Sequence, residues 1–180
     1  MIDVMPGLPA RRSAAETVRV GGKLLALPTP WRLSVKQRLN LSQATPELYR
    51  AIAALDAAVK HSGIDRQLLH LIKLRASQIN GCAFCVNMHV EESLADGMPA
   101  QKLHLVCVWR ESPLFDARER AVLALTESVT RLSQNDVPDA LYEEVRAHFD
   151  EVGFSQLIVA IGTINVWNRV AVSTRTIHPH

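Results

Sequence analysis

The sequence predicts an all-α protein, a compact bundle of about seven helices, and three observations support this. Apolar residues recur at helical spacing through most of the chain after residue 44, as in the segment from Leu48 to Val59. Residues typical of helix starts and ends separate these segments and leave only short connections. No stretch of useful length shows the apolar-polar alternation of a strand. Amphipathic helices joined in this way pack on one another around one core.

The first two helices are predicted from the residues at their ends. Thr45 can cap the first helix, and Pro46 suits its first turn because proline lacks the N–H that would be unpaired there. Asp65 can cap the second helix. The Asn80-Gly81 pair should end it, because glycine readily adopts the left-handed conformation found after many helices.

Five further helices are predicted at short intervals, and each has its own start signal. The third begins at the paired cysteines, and Pro99 opens the fourth. Asp116 with Glu119 three residues later has the pattern of a capping box for the fifth. Pro138 starts the sixth, and Ser155 can cap the seventh. The predicted ranges are about 82–97, 99–110, 117–133, 138–149 and 155–173.

We expect one helical domain with extensions at both ends. Residues 1–32 contain several prolines and glycines without a regular period, which predicts an irregular N-terminal arm. Residues 33–176 form the predicted helical domain, and residues 177–180 form a short tail. One domain is also what a chain of 180 residues favours.

Composition and charge argue against several classes of partner. With 48% hydrophobic and 21% charged residues, the chain resembles a soluble protein with a substantial core. The net charge is +2 and the basic residues are dispersed, so nucleic acid is not an expected partner. Arg11, Arg12 and Glu16 interrupt any signal peptide, and the longest apolar run contains Asn165, so we expect no membrane partner. The expected compartment is the cytoplasm.

Three cysteines in a chain without an export signal argue against a disulfide scaffold. Cys107 lies between two valines and is predicted to be a small core residue. Cys82 and Cys85 form a close pair of the kind found in redox-active or metal-binding sites.

A helix that begins near Gly81 would place Cys82, Cys85 and His89 on one face. A thiol in the first turn faces unpaired N–H groups, which favour its thiolate. A second thiol three residues away can then close a disulfide, while His89 exchanges the thiol proton. Such chemistry needs no cofactor, and we expect none.

A zinc site is the alternative interpretation of the same residues. Two thiolates and one or two imidazoles are good zinc ligands, and His70 or His104 could complete the set. The chain would then be a helical oligomeric protein with a structural or regulatory zinc ion. A single CxxC without paired histidines at finger spacing favours the redox interpretation. Haem attachment is excluded because Val86, not histidine, follows the second cysteine.

Three segments of the sequence carry a resemblance to a known family. They are LIKLRASQINGCAFCVNMH, WRESPLFDARERAVLALTESVTRL and IGTINVWNRVAV. Together they resemble the alkylhydroperoxidase D-like branch of the carboxymuconolactone decarboxylase-like superfamily, with its CxxCxxxH motif, over roughly residues 33–176. The resemblance implies an all-helical trimer or hexamer that reduces peroxides and is recharged by a thiol reductant of thioredoxin-like or lipoyl type. It also implies that Cys85 attacks and Cys82 resolves, which helix position alone would not give.

The chain departs from the family pattern at one important position. A glutamate normally stands twelve residues before the first cysteine and acts through the histidine in a proton relay, whereas this chain has His70 there. His70 could act as a base, since an ordinary imidazole pKa of about 6.5 suits proton transfer near neutrality, or it could be a core histidine. Glu127 is another candidate carboxylate, although an exposed or capped glutamate is the more usual interpretation. The predicted catalytic set is therefore Cys85, Cys82, His89 and His70.

Two asparagines on the last predicted helix support the prediction of a homo-oligomer. Asn165 and Asn168 lie in an otherwise apolar helix and would need buried hydrogen-bond partners. Another subunit could supply those partners at an interface.

Overall fold

The computed structural model describes residues 17–20, 23–26, 36–134 and 136–178. The chain divides into two compact units, residues 1–34 and residues 35–180. In the smaller unit, strands β1 (Thr17–Val20) and β2 (Lys23–Ala26) form an antiparallel pair with Thr17 opposite Ala26. The prediction of an irregular arm was therefore wrong for these residues, and the rest of that arm lies outside the described residues. In the sequence, Gly21 and Gly22 separate the short runs TVRV and KLLA, a pattern typical of a hairpin that the prediction did not use.

The larger unit is all-α, which confirms the predicted fold class. Eight α-helices and one 3₁₀ helix lie within its described residues. They are α1 (Leu41–Ala44), α2 (Pro46–Lys60), α3 (Arg66–Ile79), α4 (Ala83–Ala95), α5 (Ala100–Leu105), the 3₁₀ helix (Val106–Glu111), α6 (Ala117–Thr130), α7 (Asp139–Arg146) and α8 (Glu151–Thr174). The seven predicted helices correspond to α2–α8, and α1 is an additional single turn.

Several predicted helix ends are confirmed by their hydrogen bonds. The Asp65 side chain accepts hydrogen bonds from two backbone N–H groups at the start of α3. Asp116 and Glu119 form the complete capping box of α6. Gly81, which follows α3, has a φ of +64°, the left-handed conformation that glycine tolerates best.

Two predicted caps are wrong. The Thr45 side chain makes no capping hydrogen bond at the start of α2. At the last helix, the Asp150 side chain accepts a hydrogen bond from the Gly153 N–H, so α8 begins five residues earlier than the Ser155 cap would require. An aspartate at this position is as good a cap as serine, and the earlier start adds one turn to the helix.

The prediction for Cys107 is also wrong, because this side chain is exposed. The predicted fourth helix changes after Leu105 from α to 3₁₀ geometry, with Val108 outside the helical region. A 3₁₀ helix repeats every three residues, and Val106 and Trp109 occupy its buried positions. Cys107 and Val108, which lie between them, consequently face outward.

Helix α3 lies at the centre of the helical unit and packs against α4, α6 and α8. Its Leu71, Ile72 and Leu74 side chains are fully buried. The C-terminal end of α3 leads directly into the Asn80-Gly81 turn and then into α4. The packing of α3 in the core therefore sets the position of the turn that carries Cys82 and Cys85.

Helix α8 is long and apolar enough to cross a membrane by length and composition alone. It has 24 residues and contains an 18-residue stretch with a mean hydropathy of 1.3. Half of that stretch is buried inside the molecule, including Leu157, Ile161 and Ile164 of the core. The core helix of a globular protein has the same properties, so this finding is weak evidence for a membrane span.

Candidate active site

The structure brings Cys82 and Cys85 together as a disulfide at the start of α4, with their Cα atoms 5.3 Å apart. Cys82 is the N-cap of the helix, and its Sγ accepts a hydrogen bond from the Cys85 backbone N–H at 3.3 Å. The sulfur of Cys82 thus occupies the position of a capping oxygen and binds one of the N–H groups that a helix start leaves unpaired. Such a position stabilises a thiolate on Cys82.

The environment of the disulfide is apolar and closed. Cys82 and Cys85 are each 2% exposed, and they pack with Ala171 of α8 and with Phe84. Hydrogen bonds and charges act more strongly in such surroundings than in water. The few polar groups near the sulfurs therefore have a large influence on them.

His89 lies on α4, one turn after Cys85, and is buried. Its Nδ1 lies 3.0 Å from Oε2 of Glu92. Because a carboxylate only accepts hydrogen bonds, Nδ1 carries the proton and Nε2 keeps its lone pair. Nε2 is buried and has no hydrogen-bond partner among the described residues. A buried nitrogen left unpaired in this way is unusual and is available to a proton donor.

The electrostatic surroundings of His89 favour its neutral form. Burial lowers the pKa of the imidazole, the hydrogen bond and charge of Glu92 raise it less, and the charge of Lys73 adds to the lowering. The hydrogen bond from His89 in turn lowers the pKa of the Glu92 carboxyl. At neutral pH the pair is therefore a neutral imidazole, with a free Nε2, held by an ionised carboxylate.

Glu92 was missed by the sequence prediction. Its signal was the spacing of three residues from His89, which places the two side chains side by side on a helix. The Glu92 side chain is 40% exposed and lines a cleft of about 520 Å³. The cleft is lined by Lys60, His61, Ile64, Arg66, Leu69, His70, Lys73, Glu92, Ala95 and Asp96.

His70 is buried on α3 and also lines this cleft. Its Nε2 lies 2.6 Å from Oδ2 of Asp96, and the same oxygen is 2.6 Å from Nε of Arg66. Within the described residues, no hydrogen bond or ion pair joins His70 to His89, Cys82 or Cys85. The structure thus places His70 in a separate pair with Asp96.

A buried ion pair acts on His89 from the preceding helices. Nζ of Lys73 lies 2.7 Å from the Asp56 carboxylate, which also binds Lys60 at 3.2 Å. Burial alone would raise the pKa of Asp56, but the hydrogen bond and charge of Lys73, with help from Lys60, lower it overall. Lys73 therefore stays paired while its charge contributes to the lowered pKa of His89.

Glu127 is neither exposed nor a helix cap, contrary to the interpretation favoured by the sequence. It is buried on α6 and accepts hydrogen bonds from Arg75 at 2.8 Å, Trp109 at 2.9 Å and Arg110 at 2.7 Å. Burial alone would raise the pKa of Glu127, but these three hydrogen bonds outweigh it and lower the pKa. The carboxylate joins α6 to α3 and to the 3₁₀ helix, and its hydrogen bonds are all used there.

Asn165 and Asn168 find partners within the chain, so the argument that they need a second subunit is wrong. Nδ2 of Asn80 donates to Oδ1 of both residues at 2.9 Å. Their own amide groups donate to Thr130 and Ser77. These polar side chains therefore join α8 to α3 and α6 inside one protomer.

The described side chains give no support to the zinc alternative. No group of three or more His, Cys, Asp and Glu residues in the described part of the chain could hold a metal ion. Cys82 and Cys85 share their disulfide, His70 is paired with Asp96, and His104 is exposed.

Comparison with known proteins gives a consistent family. The sequence pattern of the Carboxymuconolactone decarboxylase family matches residues 46–128. The uncharacterized protein YdfG of Bacillus subtilis is 35% identical over 139 residues, which cover 77% of this chain and 95% of YdfG.

Solved structures agree with this match. One is a protein of unknown function from Agrobacterium tumefaciens, suggested to be an antioxidant defence protein AhpD. It is 48% identical with a TM-score of 0.79, over 81% of this chain and 99% of that chain. The apo debrominase Bmp8 shares the fold, with 17% identity and a TM-score of 0.69 over 76% of this chain and 74% of Bmp8. This chain therefore belongs to the carboxymuconolactone decarboxylase family, in its alkylhydroperoxidase D-like branch.

Proposed function

We propose that the chain is a thiol-dependent peroxidase, which reduces a hydroperoxide at the Cys82 and Cys85 pair. The observation that carries the proposal is the buried disulfide one helical turn before a buried histidine whose Nε2 has no hydrogen-bond partner in the described part of the chain. Two thiols and a neutral base on one helix face are what peroxide reduction requires. The likeness to the A. tumefaciens protein suggested to be AhpD supports a peroxide as the oxidant.

In the first half-reaction, the Cys85 thiol gives its proton to Nε2 of His89, which lies one turn further along α4. The Cys85 thiolate attacks the terminal peroxide oxygen, the O–O bond breaks, and sulfur is oxidised to sulfenic acid. The departing alkoxide takes the proton back from His89 and leaves as an alcohol. We assign the attack to Cys85 from the family resemblance and from this spacing to His89.

In the second half-reaction, the sulfur of Cys82 attacks the sulfur of Cys85. The S–S bond forms, the S–O bond breaks, and the oxygen leaves as water with the proton of the Cys82 thiol. One hydroperoxide and two thiols have then become one alcohol, one water and one disulfide. A dithiol donor of thioredoxin-like or lipoyl type supplies the two electrons and two protons that restore the thiols.

Glu92 takes the part that the resemblance assigned to a glutamate at position 70. Its carboxylate holds the Nδ1–H of His89 and so keeps the lone pair on Nε2. Its position at the cleft gives it a path for proton exchange with solvent. Among the described contacts, His70 is bonded to Asp96 and not to His89, so we propose that it supports the cleft through Asp96.

Counting thiols tests the proposal. The reduced chain has three cysteines, and one equivalent of hydroperoxide should leave one reactive thiol, that of Cys107. Cys85→Ser should lose no thiol pair, and Cys82→Ser should stop at a sulfenic acid that a dimedone probe traps. Cys107→Ser, the control, should lose both of its thiols. An unchanged thiol count in the wild type, or a full loss in Cys85→Ser, would contradict the proposal.

The substrate panel should include alkyl hydroperoxides, hydrogen peroxide and a brominated pyrrole. The last compound is included because a structure of the debrominase Bmp8 holds 2,3,4-tribromopyrrole, although a likeness at 16% identity shows the fold alone. If the protein turns over the brominated compound and none of the peroxides, the proposed peroxidase activity is wrong. The protein would then be a reductive debrominase that uses the same cysteines.

Glu92→Gln should move the acidic limb of the pH–rate profile to lower pH. The charge of Glu92 raises the pKa of His89, so its removal lets burial lower that pKa further and keeps the imidazole neutral in more acidic solution. Glu92→Ala should lose more activity at every pH, because the Nδ1 hydrogen bond is lost as well. Glu91→Gln on the same helix changes an exposed glutamate bonded to Asn87 and is the matched control. If the acidic limb of the pH–rate profile stays at the same pH in Glu92→Gln, the result would argue against the pairing of His89 with Glu92.

We further propose a cytoplasmic homo-oligomer, a trimer or hexamer. The family resemblance supports an oligomer, and so do exposed valines at seven-residue intervals on α8, namely Val152, Val159 and Val166. Sedimentation that shows only a 19.9 kDa species at micromolar concentration would contradict the oligomer. The cytoplasm fits an enzyme whose resting cysteines must be kept reduced, and cell fractionation tests it.

A further inference from the structure

Asn80 connects the cysteine turn to the last helix of the fold. It ends α3 and is followed directly by Gly81 and Cys82. Nδ2 of Asn80 donates one hydrogen bond to Oδ1 of Asn165 and one to Oδ1 of Asn168, each at 2.9 Å. A single side chain thus holds the turn against α8, some 85 residues further along the chain.

The two acceptors are themselves fixed by buried partners. Nδ2 of Asn168 donates to Oγ of Ser77 at 3.0 Å, and both residues are fully buried. Nδ2 of Asn165 donates to Oγ1 of Thr130 at 3.1 Å, and Arg169 donates to Oδ1 of Asn165 at 2.9 Å. Both Oδ1 and Nδ2 of Asn165 and of Asn168 thus have partners, and a buried network satisfied in this way holds one geometry rigidly.

The same helices also contact the cysteine pair directly. The Ser77 carbonyl accepts a hydrogen bond from the Cys82 N–H at 3.0 Å, and Ala171 of α8 belongs to the same buried apolar cluster as the two cysteines. Cys82 is therefore held at its backbone by Ser77 and at the preceding turn by Asn80, and its side chain shares an apolar cluster with Ala171. The peroxidase steps proposed above use none of these three residues.

We propose that Asn80, Asn165 and Asn168 act as an asparagine clamp, a set of positioning residues that fixes how strongly the cysteine pair favours disulfide over dithiol. A turn already held in the disulfide geometry loses less conformational freedom when the S–S bond closes. Without the clamp the turn would be freer in the dithiol state, and closure would cost more. The inference rests on the proposed function only in treating Cys82 and Cys85 as a redox couple.

Equilibration with dithiothreitol measures this property in the full chain. The protein disulfide takes two electrons and two protons from the reagent, whose own thiols close into a cyclic disulfide as the Cys82–Cys85 bond breaks. Asn80→Ala should lower the equilibrium constant for the protein disulfide about tenfold, which makes the potential about 30 mV less negative. Thiolate absorbance across pH, recorded for each variant, separates this effect from any change in thiol pKa.

Thr130→Val is the matched control. It removes a buried hydroxyl from the far end of the same network but leaves both hydrogen bonds of Asn80 in place. It should lower the stability to unfolding, yet keep the disulfide equilibrium within about twofold of the wild type. Asn165→Asp keeps an acceptor oxygen for Asn80, with Arg169 beside the new charge, and should largely retain the wild-type potential.

The outcomes separate the clamp from a merely structural network. The clamp would be overturned if Asn80→Ala kept the wild-type equilibrium constant for the disulfide. It would also be overturned if Thr130→Val shifted that constant as much as Asn80→Ala does. If Asn80→Ala does not fold, Asn80→Ser takes its place, since its short side chain cannot reach both asparagines. The measurement uses no peroxide, so a shifted potential in a protein without peroxidase activity would uphold the clamp while rejecting the proposed function.

Discussion

Replacing His89 by alanine should lower kcat/KM for a hydroperoxide by about 10² to 10⁴, the usual contribution of a general acid-base group. The variant lacks the nitrogen that takes the Cys85 proton and returns it to the alkoxide. Its effect should be large because burial and Glu92 together present a neutral imidazole with a free Nε2. Steady-state kinetics with a hydroperoxide and a dithiol donor measure it.

His70→Ala is the informative comparison for this experiment. Both histidines are buried, but Nε2 of His70 lies at hydrogen-bond distance from Asp96, whereas Nε2 of His89 has no partner among the residues that the structure describes. His70→Ala should therefore cost far less activity, and thermal unfolding of both variants checks that the fold is retained. Equal losses in the two variants, or a fully active His89→Ala, would contradict the assignment of His89 as the proton partner.

Replacing Glu127 by alanine should lower the free energy of unfolding by about 3 to 5 kcal/mol, the usual cost of leaving a buried charge without its partner. The Arg75 side chain, which is 11% exposed, would lose its carboxylate, and the Trp109 N–H would lose its acceptor. Denaturant unfolding measures the loss. Glu127→Gln should cost less because an amide oxygen still accepts a hydrogen bond.

The pH dependence gives Glu127 a second test. Its pKa in the folded protein lies below the reference value of 4.5, so its stabilisation is complete above that value and disappears as the pH falls through the folded pKa. The stability gap between wild type and Glu127→Gln should therefore narrow in acid. Glu144→Gln, at an exposed position, should stay within about 0.5 kcal/mol of the wild type. A gap that does not depend on pH would mean that packing, rather than charge, holds Glu127.

Features that depend on near neighbours in sequence could be predicted. The caps Asp65 and Asp116 involve backbone groups within three residues, and Cys82, Cys85 and His89 share a helix face because of their spacing alone. Glu92 belongs to the same class. The family resemblance pointed instead to position 70, where the family carries its glutamate, although the spacing of three residues between His89 and Glu92 predicts the same kind of pairing on a helix.

Contacts between distant segments could not be predicted in this way. His70 meets Asp96 across 26 residues, and Asn80 meets Asn165 across 85. Periodicity predicts that a residue faces the core, but not which side chain it meets there. Cys107 shows a related limit, because a change from α to 3₁₀ geometry at Val106 is enough to turn a predicted core residue outward.

The burial of Cys82 and Cys85 limits which thiols can reduce the disulfide between them. A thiol must approach a disulfide along the S–S axis, and each of the two cysteine residues is only 2% exposed. The small thiols abundant in a cell should therefore exchange with it slowly, whatever their reducing power. The disulfide is therefore reduced at a useful rate only by two kinds of donor. One has a dithiol narrow enough to reach the buried sulfurs, and the other docks on the protein and opens the turn. The shape of the electron donor, rather than its reduction potential, then decides which donor returns the protein to its dithiol form.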